Sequence, residues 1–326
     1  MNEINVCPST LKEGFSTFSP KARRHFLGGK NVSHILPYES LSSGEGLIDN
    51  KGRLSLSGAQ EKYSAVIDRG VFRLTEDGER GTYILKPKLT GFENREFSPA
   101  NENLTMQIAS QVYGIQTAEN AVCFTTGGEQ VYVTKRYDVR ADGSRIQQED
   151  LASLAGISRD THGPNFKYSA LDYVDLAAII RKYIPAWRIE LVRYFDLILF
   201  NFVFANGDAH VKNFSVIQTP QGDYRLAPAY DLINTLLHIP GGFIFAMDKG
   251  LYPGWNRELG AYGSDFLAFG KLIGLDEATV KEEIDRFCAD YSEIGKLVGN
   301  SFLSDKLKAD YLQIHRSRVN SFLKVF

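Results

Sequence analysis

Alternating hydrophobic and polar positions predict strands in the first part of the chain. Residues 63–67 and 71–75 flank the turn residues Asp68-Arg69-Gly70, a pattern typical of a β-hairpin. Between the predicted strands, Ser98-Pro99 is typical of a helix start with Ser98 as the side-chain cap, and Gly114 is typical of a helix end. Further strands are predicted at 82–86, 121–125 and 130–135.

After about residue 140, apolar residues recur at three- and four-residue spacing, which predicts helices. Tyr224–Leu226 is a short strand-like exception. The sequence therefore predicts an α+β, two-lobed, protein-kinase-like fold, with a β-rich N-terminal lobe over 1–139 and a helical C-terminal lobe over 140–326. Residues 1–50 show too weak a periodicity to predict an element. The expected helices are 172–183, 188–205, 264–273, 276–298 and 304–323.

Composition narrows the class of protein. The chain has 326 residues, 43% of them hydrophobic and 23% charged, which is ordinary for a globular protein of two domains. A net charge of −2 offers no general attraction to nucleic acid, so no direct DNA contact is expected. Three cysteines without a CxxC pair are expected to be reduced thiols.

The sequence shows no secretory or membrane-spanning segment, and a cytoplasmic protein is expected. The most apolar segment, residues 194–205, is about half the length that crosses a bilayer. It also contains Asp196 and Asn201, which favours a core helix. The first residues include Glu3 and lack an apolar leader, so neither secretion nor membrane contact is expected.

The stretch Asn-Gly-Asp-Ala-His-Val-Lys-Asn at 206–213 carries the clearest chemical signal. Asp208 precedes Asn213 by five residues, as in phosphoryl-transfer loops where the aspartate orients the attacking hydroxyl and the asparagine holds a metal ion. Asp231 supplies a second acid downstream. Asp208 alone is more typical of a turn or helix cap, but together with Asn213, the preceding apolar segment and Asp231 it predicts an ATP- and Mg²⁺-dependent kinase.

Two other residues of this stretch are also candidates. His210 is a candidate catalytic residue beside Asp208, and a bracing role through hydrogen bonds is favoured over direct proton transfer. Lys212 is placed to contact phosphate or substrate, although a solvated loop lysine fits the sequence equally well.

Lys86 ends the third predicted strand, and Glu102 lies in the helix that follows. A strand lysine that contacts the α- and β-phosphates of ATP and is tethered by a helix glutamate is a kinase arrangement. A strand-end lysine that reaches into solvent is the alternative, and the order of Lys86 and Glu102 favours the kinase interpretation.

The segment before the hairpin lacks GxGxxG. Backbone amides around Ser57-Gly58-Ala59 could form a phosphate-binding nest, with Lys62 supplying positive charge. An ordinary turn at Gly58 fits as well.

Taken in order, these motifs resemble the HipA-like serine/threonine kinases of bacterial toxin–antitoxin systems. The resemblance covers roughly residues 52–235 and is carried by the ordered set rather than by one motif. The matching segments are Ser-Gly-Ala-Gln-Glu-Lys at 57–62, Ile-Leu-Lys-Pro at 84–87, Asn-Glu at 101–102, Lys-Arg-Tyr-Asp at 135–138, Gln-Glu-Asp at 148–150, the stretch 206–213 and Ala-Tyr-Asp-Leu at 229–232.

The resemblance implies a role for each matched position. Asp208 is implied to be catalytic, and Asn213 and Asp231 to hold Mg²⁺. Ser55 and Ser57 are implied sites of autophosphorylation, where a phosphate would disfavour ATP by like-charge repulsion. The residues implied to contact ATP, through the phosphate loop, the strand lysine and an adenine hinge, are Gly58, Ala59, Gln60, Lys62, Lys86, Lys135 and Tyr137.

Only about 50 residues precede the serine-bearing loop, and this short form resembles the HipT toxins of tripartite HipBST systems. The run at 258–267 is similar to the same subgroup. The resemblance implies a small HipS-like antitoxin and a DNA-binding HipB-like protein as partners. It also implies an aminoacyl-tRNA synthetase, by resemblance tryptophanyl-tRNA synthetase, as the substrate.

Two other functions remain as alternatives. A small-molecule kinase of the aminoglycoside-phosphotransferase type uses similar residues, but the Gln-Glu-Asp element and the serine-bearing loop argue against it. A catalytically dead scaffold that only binds an antitoxin would have no chemical need for Lys86, Asp208, Asn213 and Asp231 together.

Overall fold

The computed structural model describes residues 4–42, 60–140, 142–256, 260–289 and 291–323. The chain divides into two compact units. The first comprises Met1–Arg145, Leu237–Ile239 and Tyr291–Tyr311, and the second comprises Ile146–Leu236, Pro240–Asp290 and Leu312–Phe326. The predicted lobe boundary at residue 139 stays a prediction.

A six-stranded sheet forms the centre of the first unit, in the order β1-β5-β6-β4-β2-β3. Neighbouring strands are antiparallel, except that β1 pairs with β5 in parallel. The predicted hairpin is present as β2 and β3. The strands are β1 Ile35–Leu36, β2 Tyr63–Asp68, β3 Val71–Leu74, β4 Tyr83–Lys86, β5 Asn120–Thr125 and β6 Gln130–Lys135.

The N-terminal residues, for which no element was predicted, complete the core of this sheet. Helix α1 (Pro20–His25) is capped by Ser19, whose side chain accepts a hydrogen bond from Ala22 N. Phe26 follows and packs edge-on against Tyr83, with ring centroids 5.5 Å apart. The Tyr83 hydroxyl donates to the Phe26 carbonyl at 2.7 Å. A six-residue helix is too short to show a sequence period, so only its contacts define it.

Helix α2 (Ser98–Gln111) begins differently from the prediction. Ser98 was expected to cap the helix, but it is the first helical residue and Phe97 occupies the cap position. The reason is a preceding 3₁₀ turn, Arg95–Phe97, that runs directly into the helix. The Ser98 hydroxyl instead donates to the Arg95 carbonyl at 2.8 Å.

The second unit is mainly helical but contains a three-stranded antiparallel sheet in the order β7-β8-β9. Its strands are β7 Gln148–Asp150, β8 Ser215–Gln218 and β9 Tyr224–Leu226. Strand β9 was predicted, whereas β7 and β8 were not. The helices after α2 are α3 Leu151–Leu154, α4 Arg159–His162, α5 Phe166–Ser169, α6 Tyr173–Tyr183, α7 Trp187–Val203, α8 Gly263–Leu272, α9 Glu277–Cys288, α10 Ser292–Asn300 and α11 Asp305–Leu323, with 3₁₀ turns at Val211–Asn213 and Thr235–Leu237.

One predicted helix is wrong. The continuous helix expected over 276–298 is two helices, α9 and α10, separated at Ala289. Ala289 has extended dihedrals, φ −64° and ψ 146°, which end α9. Apolar spacing continues across the break, so the sequence pattern alone does not reveal it.

The two sheets and the helices confirm the predicted α+β class.

Cys7 and Cys123 are buried, Cys288 is half-buried, and all three are free thiols, as predicted. In the part of the chain that the structure describes, no helix combines the length and apolar character needed to cross a membrane.

Gly270 and Val280 set the close approach of α8 and α9. A Cβ at Gly270 would overlap Val280 Cγ2. We expect Gly270→Ala to lower the free energy of unfolding by about 1–3 kcal/mol, since overpacking strains both helices. Gly295→Ala is the matched control because nothing lies within 4 Å of its added Cβ. In that exposed helical position alanine should stabilise by up to about 1 kcal/mol.

Urea denaturation of the two variants measures this difference. Adding Val280→Ala to Gly270→Ala should recover part of the loss, giving a non-additive pair. Equal stability of Gly270→Ala and Gly295→Ala would contradict this packing.

Candidate active site

The first unit contains a buried ion pair between Lys86 at the end of β4 and Glu102 on α2. Lys86 Nζ lies 2.7 Å from Glu102 Oε1, and the two side chains are 5% and 4% exposed. The ammonium group also lies 5.2 Å from the centre of the Tyr132 ring. Because an unpaired charge is costly to bury, each residue holds the other in place. The ion pair expected from the sequence is therefore present.

The other predicted ATP contacts of the first unit are only partly described. Gln60 Nε2 donates to the Pro87 carbonyl at 2.8 Å, so this side chain lies beside the end of β4. Lys62 is exposed. Ser55, Ser57, Gly58 and Ala59 lie outside the described residues, and their predicted roles remain predictions.

The predicted adenine hinge follows β6. Lys135 Nζ donates to the carbonyl of His25 at 2.9 Å. Arg136 pairs with Asp138 at 2.7 Å, and Tyr137 between them is half-buried. The hinge role of Lys135 and Tyr137 remains a prediction.

In the second unit, a tight backbone turn after α7 places Asp208. Ala205 adopts a left-handed conformation, with φ 54°. The Thr235 hydroxyl accepts from Gly207 N at 3.0 Å and donates to the Ala205 carbonyl at 2.9 Å. A Cβ at Gly207 would overlap the Phe243 carbonyl oxygen, so glycine is required by this close approach.

Asp208 is half-buried and is oriented from both sides. The Tyr168 hydroxyl donates to Asp208 Oδ1 at 3.0 Å, and Asp208 N donates to Asn206 Oδ1 at 3.3 Å. The Tyr173 hydroxyl donates to the carbonyl of Ala209 at 2.9 Å, which fixes the residue that follows. Sequence reasoning missed Tyr168, because a residue 40 positions away carries no motif that relates it to the loop.

His210 is buried against Tyr168. The His210 side chain is 2% exposed, and the two rings meet edge-on with centroids 5.3 Å apart. His210 N donates to Asn213 Oδ1 at 3.2 Å. This burial favours the bracing role over proton transfer to a substrate.

Asn213 and Asp231 form the candidate metal site. Asn213 Nδ2 donates to Asp231 Oδ2 at 3.3 Å, which brings an amide and a carboxylate together. Asp231 has φ 56°, a left-handed conformation that costs about 1–2 kcal/mol. Asn206 Nδ2 donates to the Asp231 carbonyl at 3.3 Å and helps to hold that conformation.

The donor set fits Mg²⁺. Mg²⁺ prefers oxygen ligands and is usually held by one or two carboxylates, with phosphates and water completing the shell. Among the described residues, no group of three or more His, Cys, Asp or Glu side chains could hold a metal. The amide oxygen of Asn213 and the carboxylate of Asp231 suit a Mg²⁺ ion whose shell is completed by nucleotide phosphates and water.

Lys212 is held at the edge of this site by Asp150. Its Nζ lies 2.8 Å from Asp150 Oδ2, and Asp150 also caps α3 by accepting from Ser153 N at 2.9 Å. The Tyr230 hydroxyl donates to the Lys212 carbonyl at 2.8 Å. Burial raises the pKa of Tyr230, so its hydroxyl keeps the donated proton.

The contact adds to the interpretation of 148–150. Taken alone, these acidic residues are typical of a helix N-terminus, and no catalytic role is predicted for them. A helix does begin after Asp150, which caps α3, but 148–150 themselves form strand β7 and Asp150 also contacts Lys212. Pairing with β8 determines this, and β8 was not predicted.

The structure thus brings the predicted residues together in two groups, each within one unit. The first group is Gln60 and Lys86, with Glu102. The second group is Asp208, His210, Lys212, Asn213 and Asp231.

Residues 54–294 match the family model described as the HipA-like C-terminal domain. The chain belongs to this HipA-like family. Its relatives include a Haemophilus influenzae protein with a provisional kinase name, 26% identical over 97% of both chains. A Sinorhizobium fredii protein, also provisionally named a kinase, is 33% identical over 64% of this chain and 47% of its own.

The serine/threonine-protein kinase toxin HipA of Shewanella oneidensis is 27% identical over 57% of this HipA-like chain. The match covers 44% of that relative, so this chain spans about half the length of the last two relatives. Together these relatives support a HipA-like kinase.

Two solved structures share the fold. A chain of the Shewanella oneidensis toxin–antitoxin complex of HipA, HipB and operator DNA matches with a TM-score of 0.65 and 20% identity. That match covers 85% of this HipA-like chain and 66% of the other. The Helicobacter pylori proinflammatory kinase CtkA matches with a TM-score of 0.50 and 14% identity, over 80% and 94% of the two chains.

Thr235 provides a test of how the Asp208 loop is held. Thr235→Val keeps the shape but removes the hydroxyl, so the Gly207 N–H keeps only the Ala205 carbonyl as an acceptor and that carbonyl loses the hydroxyl donor. We expect it to lower the free energy of unfolding by about 1–3 kcal/mol and to speed amide hydrogen exchange at Gly207. Thr235→Ser is the matched control because it keeps the hydroxyl.

Denaturation and hydrogen exchange of the two variants give the comparison. If valine and serine behaved alike, the hydroxyl would not be what holds this turn.

Proposed function

We propose that this HipA-like chain is an ATP-dependent serine/threonine protein kinase that acts as the toxin of a toxin–antitoxin system. The main support is the arrangement around Asp208: a half-buried carboxylate held by Tyr168, followed by an Asn213–Asp231 pair with the donor set for Mg²⁺. The buried Lys86–Glu102 pair adds the phosphate contact that such a kinase needs.

Asp208 acts on the attacking hydroxyl. One carboxylate oxygen accepts from Tyr168, which sets the orientation of the group. The serine oxygen attacks the γ-phosphorus, the bond to the β–γ bridging oxygen breaks, and ADP leaves with that electron pair. The proton of the serine hydroxyl passes to Asp208.

The remaining residues position ATP. Lys86 binds α- and β-phosphate oxygens, and Glu102 holds the ammonium group in place for this contact. Asn213 and Asp231 would hold Mg²⁺, which when bound neutralises negative charge on the phosphates. Lys212, fixed by Asp150, contacts phosphate or the protein substrate.

The substrate and partners are proposed from the resemblance to HipT. The substrate is an aminoacyl-tRNA synthetase, namely tryptophanyl-tRNA synthetase, and its phosphorylation inhibits translation in the cytoplasm. Ser55 and Ser57 are sites of autophosphorylation. A HipS-like antitoxin and a DNA-binding HipB-like protein are the partners, and the likeness to a chain of a HipA–HipB–DNA complex supports antitoxin binding.

Asp208→Asn tests the catalytic role. The amide keeps an oxygen for the Tyr168 hydroxyl but is a poor proton acceptor, so we expect phosphorylation to slow by about 10²-fold or more. ATP affinity should stay nearly unchanged. The assay measures phosphate transfer from Mg²⁺–ATP to a panel of purified aminoacyl-tRNA synthetases that includes the tryptophanyl enzyme.

Asp223→Asn, at an exposed position on the same unit, is the matched control and should retain full activity. An Asp208→Asn variant with more than a tenth of wild-type turnover would refute the role of Asp208. Phosphorylation of an aminoglycoside in place of every protein would favour the small-molecule kinase.

Asp231→Asn tests the metal site. Removing the carboxylate charge should weaken the binding of Mg²⁺–ATP by about tenfold or more, while metal-free ATP binding changes little. Calorimetric titration with and without Mg²⁺ separates the two effects. An unchanged Mg²⁺ dependence would exclude Asp231 as a metal ligand.

A further inference from the structure

The segment Leu237–Ile239 belongs to the first unit, although the residues on both sides of it belong to the second. His238, in its centre, comes seven positions after Asp231. Its side chain is 2% exposed. A buried imidazole ring needs hydrogen-bond partners, and residues of the first unit provide them.

Contacts from two parts of the first unit hold this segment. His238 Nδ1 lies 2.9 Å from the Glu93 carbonyl oxygen, and Nε2 lies 2.9 Å from Asn101 Nδ2. The backbone is held as well: Glu93 N donates to the His238 carbonyl at 3.3 Å, and Asn94 Nδ2 donates to the Leu237 carbonyl at 2.9 Å. The segment is thus bound both by the residues before α2 and by α2 itself.

These partners define the protonation state of the ring. The Glu93 carbonyl can only accept, so His238 Nδ1 carries a hydrogen and donates it. Nε2 then accepts from the Asn101 amide, which requires a neutral imidazole. Burial lowers the pKa of His238, which favours the same state.

The network continues along α2. Thr105 Oγ1 donates to the Asn101 carbonyl at 2.9 Å and lies 3.3 Å from Asn101 Oδ1, which orients the amide so that its NH₂ group points to His238. The Tyr311 hydroxyl lies 2.9 Å from Thr105 Oγ1. Every side chain in this chain of contacts is buried. Asn101 also immediately precedes Glu102, the partner of Lys86.

We propose that His238 is a positioning residue: its neutral ring holds α2, the helix that carries Glu102, through Asn101. The proposal rests on the proposed kinase function, in which Lys86, the partner of Glu102, binds the phosphates of ATP. His238 contacts neither nucleotide nor substrate. It acts by restraining α2 and, through Glu102, the position of Lys86.

A second proton on the ring would disrupt the hydrogen bond between His238 and Asn101. A proton on Nε2 would face the Asn101 NH₂ group, donor against donor, inside the protein. Three acidic residues act near the ring: Glu96 on the 3₁₀ turn opposes the lowered pKa, Glu102 on α2 is engaged with Lys86, and Glu93 contacts the ring through its backbone. The pKa of His238 is lower in the folded protein than in the unfolded chain. Its contribution to stability is therefore fully present at a pH above the unfolded pKa, and it decreases as the pH falls below that pKa.

The test compares His238→Ala, His238→Gln and His34→Gln with the wild type. It measures steady-state ADP release from pH 5 to 8, with the aminoacyl-tRNA synthetase that the wild type phosphorylates as the substrate. We expect His238→Ala to lower turnover at least about tenfold at neutral pH, with the KM for ATP changed less than about threefold. Glutamine keeps an acceptor for Asn101 and does not titrate. It should retain turnover within about threefold of wild type and lose the part of the acidic decline that His238 causes.

His34→Gln is the matched control. Burial lowers the pKa of His34 as it does that of His238, but the His34 ring packs edge-on against Phe124. This variant should reproduce the wild-type profile.

The proposal is overturned if His238→Ala lowers thermal stability but leaves turnover within about twofold, since His238 would then be only structural. If that variant does not fold, His238→Gln decides, and an acidic decline identical to wild type overturns the proposal. Wild-type protein that transfers no phosphate to itself or to any synthetase would instead refute the proposed kinase function, and this proposal with it.

Discussion

The buried ion pair of Lys86 and Glu102 is the interaction on which the candidate chemistry of the first unit depends. Both side chains are almost completely removed from water, so neither is tolerated without the other. Helix α2, which carries Glu102, is buried although it is rich in polar residues such as Asn101, Asn103 and Thr105. Each of these has hydrogen-bond partners inside the protein, and the network that restrains α2 also restrains Glu102.

In the second unit, the surrounding residues hold Asp208 partly exposed and in a defined orientation. Backbone geometry does most of this: Ala205 and Asp231 both adopt left-handed conformations that only surrounding contacts can maintain. Thr235 and Asn206 supply those contacts, and Tyr168 orients the carboxylate of Asp208. Buried residues thus brace the loop, while Asp208, Lys212 and Asp231 retain partial exposure for nucleotide and substrate.

Much of this arrangement could be predicted from the sequence, because strand alternation and motif spacing are local signals. The hairpin, β6, the Asp208–Asn213 spacing and the Lys86–Glu102 pair were all accessible in this way. The missed features depend on contacts between distant residues. Tyr168 reaches Asp208, Asp150 reaches Lys212 across 62 positions, and His238 reaches Asn101 across 137. The break between α9 and α10 was missed because the apolar period continues through it. The roles of the site residues, unlike their positions, remain predictions.

The central claim is that Asp208 drives transfer of the ATP γ-phosphate to a serine hydroxyl. Intact-mass spectrometry of the purified protein and its Asp208→Asn variant, each incubated with Mg²⁺–ATP, tests it most directly. Wild type should gain adducts of about 80 Da per phosphate, mapping to Ser55 or Ser57, and the variant should gain none. Equal adducts on both proteins would contradict the claim, and so would an unchanged wild-type mass together with no phosphate transfer to any aminoacyl-tRNA synthetase added to the incubation.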